Sequence, residues 1–342
     1  MNKIIFIVLA TLALCLTGCE NDLNLDIKSQ THPSIVINGL IEADSIPELK
    51  LSKTNAYISS GKAKHSSEDS LRLQSVEVKM FIDDKLVDRQ LLEQDPSSYN
   101  GIIFYRGKVA PREKQKIRIE ASSPGYKTAY FEEVMPEKPQ INSLTVSEVV
   151  TDYNHFSRIA HDENGKYVTY KIDVNMTDRT YPKENWLGLA VRNTTPHDAQ
   201  SEFWYGDSEN NFPVWTGYDP LFPKVCNDLM KGINENYISQ LSLYVIPFFN
   251  TKRMSSKTAN IDVRIPKISQ HQEGCFYLYG LNEAYYKFGL IKYDLDLDDD
   301  DDFSIDEDSG LVEQTPTLTN IKNGIGLVLL RSGSVRPFRI NP

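Results

Sequence analysis

The residue with the clearest chemistry is Cys19. It closes Leu16-Thr17-Gly18-Cys19, which follows an apolar run from Ile4 to Leu14 preceded by Lys3. A basic start, a short apolar stretch and small residues before a cysteine form the order of a lipoprotein signal, in which the thiol receives the lipid. The run falls short of the roughly 20 apolar residues that span a bilayer, so it is expected to leave and not to remain as a membrane helix. Anchoring through several acyl chains at Cys19 would be stable where one chain is marginal.

Two further groups carry residue types that bind ligands. Asp296, Asp298, Asp300, Asp302, Ser304 and Glu307 fall at the ligand spacing of a calcium-binding loop, whose hard oxygens converge on one cation when the chain turns sharply. Asp301 stands where such a loop needs glycine. The competing reading is a solvated acidic run that attracts cations loosely. The second group is aromatic: Phe203, Trp204, Tyr205, Phe212, Trp215, Tyr218 and Phe222 are interrupted by Gly, Asp, Asn and Pro. Trp204, Tyr205, Trp215 and Tyr218 are candidates for a binding loop, since exposed rings stack on sugars or anchor a protein interface. Equally, the rings can fold back and cap a core.

Cys226 and Cys275 remain once Cys15 leaves with the signal and Cys19 is lipidated. An extracytoplasmic setting lets a disulfide between them persist, worth about 4 kcal/mol by chain entropy; two buried thiols are the alternative. There is no CxxC, no HExxH, no GxSxG elbow and no phosphate-binding loop, and the six histidines are scattered. No catalytic residue is therefore assigned, and a non-enzyme is expected. A glycan-active pair of carboxylates is the remote alternative, with no particular pair indicated.

The elements that would position these residues are strands. Val76, Val78, Met80 and Ile82 alternate with polar residues, as do Ile117, Ile119 and Ala121, then Val168, Tyr170, Ile172, Val174 and Met176, and Ile261, Val263 and Ile265. Ser34 to Ile41, Leu86 to Leu92, Gly101 to Tyr105, Tyr126 to Val134, Leu187 to Val191, Leu241 to Phe249 and Ile325 to Leu330 read as strands too. Tyr277, Leu281, Tyr285 and Phe288 recur near the helical period and predict a short helix. Two prolines in Met135-Pro136-Glu137-Lys138-Pro139 favour an extended linker. The expected architecture is all-β: signal peptide 1–18, acidic tether 19–33, an immunoglobulin- or transthyretin-like β-sandwich over 34–136, and a second β-rich domain over 137–342. That second domain would hold one or two short helices and an acidic insertion at about 294–308. A formal net charge of −10 disfavours nucleic acid as a partner, because phosphates need a basic face.

These pieces occur in an order that resembles a family. A Cys-Glu tether leads to Ile-Val-Ile-Asn-Gly-Leu-Ile (Ile35 to Ile41), then Pro124-Gly125-Tyr126, a Pro-x-x-Pro-x-Ile-x-Ser linker from Pro136 to Ser143, and a Tyr-rich segment from Cys275 to Tyr286. Thr319-Asn320-Ile321-Lys322-Asn323-Gly324-Ile325-Gly326 closes the series. The whole mature chain resembles the Bacteroidota lipoproteins grouped as domain of unknown function 4249, and the last stretch is its most specific piece. The long acidic insertion departs from the family's usual pattern.

The resemblance implies an outer-membrane lipoprotein without catalytic residues, an accessory or substrate-binding partner of a TonB-dependent transporter. A stand-alone surface adhesin for glycan or protein is the alternative, assisted by Ca²⁺ if the acidic run closes as a loop; no other cofactor is expected. Glu20 and Asp22 behind Cys19 resemble a surface-export signal, which favours the cell surface over the periplasmic face. In this lineage Asp-Ser-apolar triplets carry O-glycans, and Asp44-Ser45-Ile46 and Asp69-Ser70-Leu71 fit that pattern.

Overall fold

Alternation of apolar residues sets the strands, and the side they bury sets the cores. The computed structural model describes residues 33–54, 73–94, 102–151, 166–194, 211–212, 214–217, 219–223, 226, 246–267, 272–297 and 318–340. The first seven strands are β1 (Ile35–Glu42), β2 (Glu48–Lys53), β3 (Ser75–Ile82), β4 (Lys85–Glu93), β5 (Ile103–Arg106), β6 (Lys116–Ser122) and β7 (Ala129–Val134). Then come β8 (Gln140–Thr151), β9 (Tyr167–Thr177), β10 (Trp186–Asn193), β11 (Asn211–Phe212), β12 (Phe248–Asn250), β13 (Thr258–Pro266), β14 (Gln272–Leu281), helix α1 (Glu283–Leu297) and β15 (Val328–Ile340). The chain is mainly β, as its alternation predicts. All these elements lie in one compact unit, Ser34–Thr54 with Ser66–Pro342.

Three sheets form two sandwiches. A four-stranded sheet in the order β4-β3-β6-β7 faces β1, β2 and β5. Val76, Val78, Met80, Ile117, Ile119 and Phe131 pack there on Ile35, Ile37, Leu49, Leu51 and Ile103 to make the first core. A three-stranded sheet, β13-β9-β8, faces β10, β14 and the second half of β15. Ile172, Val174, Met176, Ile261 and Val263 there meet Leu187, Leu189, Phe276 and Leu278 in the second core.

The third sheet, eight-stranded, belongs to both. Its order is β11-β10-β14-β15-β1-β2-β5, with β12 also on β10. β15 pairs antiparallel with β14 over Arg331–Ile340 and parallel with β1 over Val328–Arg331. Because side chains alternate along a strand, β15 feeds both interiors: Val328 and Leu330 enter the first core and Leu329 the second. Residues 136–139 do run between the two sandwiches, yet the first one is completed by the end of the chain.

The helix differs from its sequence expectation. Tyr277 and Leu281 lie on β14, where Phe276 and Leu278 alternate into the core, and the helix begins only at Glu283. Asn282 starts it by accepting the Tyr285 N–H at 3.1 Å on its side chain. Glu283 in the first turn then pairs with Lys287 at 2.9 Å. Of the strand expected over 241–249, residues 241–245 lie outside the described residues and only Phe248 and Phe249 fall on β12.

Candidate functional site

Both open sides of the first sandwich are sealed by specific side chains. At one, Tyr105 OH of β5 donates to Asp88 Oδ2 of β4 at 3.0 Å, and Gln90 Nε2 bridges Asp88 Oδ2 and the Arg106 carbonyl at 2.6 and 2.9 Å. Burial pushes the Asp88 carboxyl up, but Gln90, Tyr105 and Lys108 together bring it below the usual carboxylate range. The second side is closed by the stretch from Thr319 to Gly326. Lys322 bridges to Tyr130 of β7, with backbone bonds of 2.8 and 2.9 Å, while Ile325 bridges in parallel to Val36 of β1. The Ile37 and Gly39 amides donate to the Ile325 and Leu327 carbonyls, each at 3.0 Å.

The side chains of this stretch explain its composition. Asn320 copies a strand partner for Val328, accepting its N–H at 2.9 Å and donating to its carbonyl at 2.7 Å. Asn323 holds a left-handed backbone, φ 57°. A Cβ on Gly324 would lie 2.6 Å from the Ile35 carbonyl, and one on Gly326 would run into the Ile37 carbonyl. Asn320 and Asn282 also donate to Glu133, at 3.4 and 2.5 Å. Burial raises the Glu133 carboxyl, and those two donors oppose the rise. The most recognisable residues of the sequence are thus a clasp between two sheets.

A groove of about 450 Å³ lies beside the linker, where Lys138, Pro139, Gln140 and Ile141 face Ser334, Val335 and Arg336 of β15, with Arg179 at one end. Its walls are fixed by ion pairs across distant segments. Arg179 reaches both Glu113 oxygens at 3.2 Å and Glu137 at 3.1 Å, and Lys114 meets the same Glu137 at 2.9 Å. The Lys138 amide donates to Glu113 at 2.8 Å, and its ammonium pairs with Asp44. Burial pushes the Glu113 carboxyl up, but the Lys138 amide and the Arg179 guanidinium outweigh it and hold the group below its ordinary value. Arg179 and Lys138 are already met by Glu113, Glu137 and Asp44, so the exposed Arg336 is the lining cation with no carboxylate pair among the described residues, and a negatively charged group of a ligand would meet it.

Residue by residue, the sequence candidates fare differently. Trp215 is 6% exposed, its backbone paired with Arg264 by two 2.9 Å bonds and the Arg264 guanidinium 5.6 Å from its ring centre. Phe222 is buried edge-on against Phe249, centroids 5.1 Å apart. Trp215 is therefore buried against Arg264 of β13 and is not an exposed ring, while Val214, Leu221 and Phe222 beside it enter the second core; Trp204, Tyr205 and Tyr218 lie outside the described residues. Asp219, which composition did not single out, ties this segment down by accepting the Leu221 and Asp262 amides at 2.9 and 2.7 Å. Its Asp-Pro dipeptide was the available signal.

Cys226 and Cys275 are both thiols, not a disulfide. Cys226 is buried, with its sulfur 3.6 Å from the Phe248 carbonyl, and Cys275 sits on β14. Asp296 falls in the last turn of α1, whereas Asp298, Asp300, Asp302 and Glu307 lie outside the described residues, as do Cys19 and the triplet at Asp69. Among the described residues, no group of three or more His, Cys, Asp or Glu is placed to hold a metal ion. Asp44-Ser45-Ile46 is exposed on the β1–β2 turn.

With the clasp and the groove in place, the whole-chain comparison is informative: residues 20–333 match the family described as Domain of unknown function (DUF4249). The chain belongs to this DUF4249 family. The match runs from the tether through β14 and α1 into the first part of β15, up to Gly333, so it includes the stretch of β15 that pairs with β1. No curated protein matches the chain.

Proposed function

We propose that this protein is a non-catalytic outer-membrane lipoprotein, held by lipid on Cys19, that serves as an accessory or substrate-binding partner of a TonB-dependent transporter. The observation that carries the reading is the groove between the linker and β15. Its walls come from residues far apart in the chain, and the ion pairs of Arg179 with Glu113 and Glu137, with the Lys138 amide bonded to Glu113, hold them in place. A groove walled by distant segments, with exposed Arg336 among its lining residues, is a way to present or receive a ligand without transforming it. The anchor agrees with this role. The lipobox at Cys19 supplies the membrane attachment, and no helix among the described residues is long and apolar enough to cross a membrane.

The test is recovery of the tagged protein from its own outer membrane in mild detergent, with co-purifying chains identified by mass spectrometry. A transporter barrel in near-equal amount, reduced at least several-fold by Arg336→Glu, supports the reading and assigns the groove to it. A lipoprotein recovered alone removes the transporter from the account.

A further inference from the structure

Sheet edges are where strands meet strangers, and most edges here are guarded. The β4–β5 side is locked by Asp88, Tyr105 and Gln90. The β7–β1 side is filled by residues 322–327. The outer edge of β13 carries the Trp215 bridge, and the second half of β15 contains Pro337, which has no N–H to give a ladder.

Among the described residues β8 has none of these protections. It ends its sheet, with β9 as its strand partner there, and runs for 12 residues where strands average about 5–6. Natural edges of this length are blunted by lysine, proline or a bulge. Gln140-Ile-Asn-Ser-Leu-Thr-Val-Ser-Glu-Val-Val-Thr151 has no lysine and no proline, and its one bulge sits at the start, between Ile141 and Ser143. Ahead of it lies an uninterrupted ladder edge with Val150 49% exposed.

We infer that β8 is a self-association edge: two copies of this chain pair antiparallel along β8, joining their three-stranded sheets into one. The charge pattern selects a second copy as the occupant. Although the chain carries −10 in total, the only charged residue on β8 is Glu148, and that carboxylate is already paired with Lys267 of β13. Two copies therefore meet along a locally neutral edge. A two-fold pairing also closes on itself and leaves no edge to propagate.

The side chains choose a register. Leu144 and Val146 face the second core, and with the two-fold axis at Ser147 each Leu144 lies opposite the other copy's Val150 on that same face, while Val146 lies opposite Glu148. No carboxylate then faces its own copy, and the exposed valine gains an apolar neighbour. The paired stretch runs from Ser143 to Thr151. This inference does not depend on the transporter reading.

Site-directed cross-linking on the full-length lipoprotein in its native membrane tests the register. With the axis at Ser147, two copies of that residue sit about 4.5–5.5 Å apart at Cα, inside the range of a disulfide. Two copies of Thr145 are separated by about four residues of strand, roughly 13 Å, too far to bond. In a Cys275→Ser background, mild oxidation is expected to convert most Ser147→Cys to a species of twice the monomer mass, and to leave Thr145→Cys monomeric. Both positions are exposed and tolerate cysteine. As a second measurement, light scattering of the detergent-purified wild type gives two polypeptides per particle, and Ser147→Lys gives one at an unchanged melting temperature. Three outcomes overturn the inference: a monomeric wild type, equal cross-linking at both positions, or a Ser147→Cys adduct whose mass contains a different protein.

Discussion

Gly326 holds φ at +116° with the Ile37 carbonyl where a side chain would begin, so it combines backbone strain with a steric block. Gly125, at φ +83°, has the strain and nothing within 4 Å. Gly326→Ala is expected to cost ~3 kcal/mol and Gly125→Ala ~1 kcal/mol in chemical denaturation. Equal losses would show that the clasp yields instead of resisting. Glu113 supplies a pH signature. Its folded pKa lies below its unfolded one, so its stabilisation is complete above the unfolded value of about 4.3 and is lost as pH falls through the folded value. Glu113→Gln is accordingly less stable than wild type at pH 7, and the gap between the two melting curves narrows as the pH falls below about 4.3. Glu133 runs the other way: its raised folded pKa makes its charge a growing cost as pH rises past the unfolded value.

Among elements, those with one buried face were readable from the chain and those without were not. β3, β6, β9 and β13 bury every second residue, so alternation located them to within three residues at each end. β8 was read as linker up to Ser143. An edge strand is exposed on both faces over much of its length, and its early bulge breaks the two-residue period. The Tyr-rich segment misled in the opposite sense. Its aromatics are spaced so that a strand and a following helix look like one helix, and only the Asn282-Glu283 cap marks the change. The groove was beyond sequence reading, because Arg179 and Glu113 stand 66 residues apart and nothing local to either announces the pair. The role of the Asn-Gly stretch as a clasp was hidden for the same reason: Asn323 and the Thr128 carbonyl it contacts are 195 residues apart.

For the whole molecule, the shared sheet makes the two sandwiches one cooperative object. Deleting residues 318–342 removes Ile321, Val328 and Leu330 from the first core and Leu329 and Phe338 from the second. Such a chain is expected to lose both halves together, so that limited proteolysis finds no protected fragment covering residues 34–136. A resistant fragment of that size would mean the first sandwich stands alone.

The parallel pairing of β1 with β15 has a further consequence for how such a chain folds. Arg331 grips Glu42 across 289 residues of sequence, at 2.8 Å, so the first strand to emerge waits for the last before its ladder is complete. Contacts this distant slow the search for the native state. Were the chain exported as the proposed lipoprotein, that delay would be useful: the leading half could not lock shut while the rest was still threading a translocation pore.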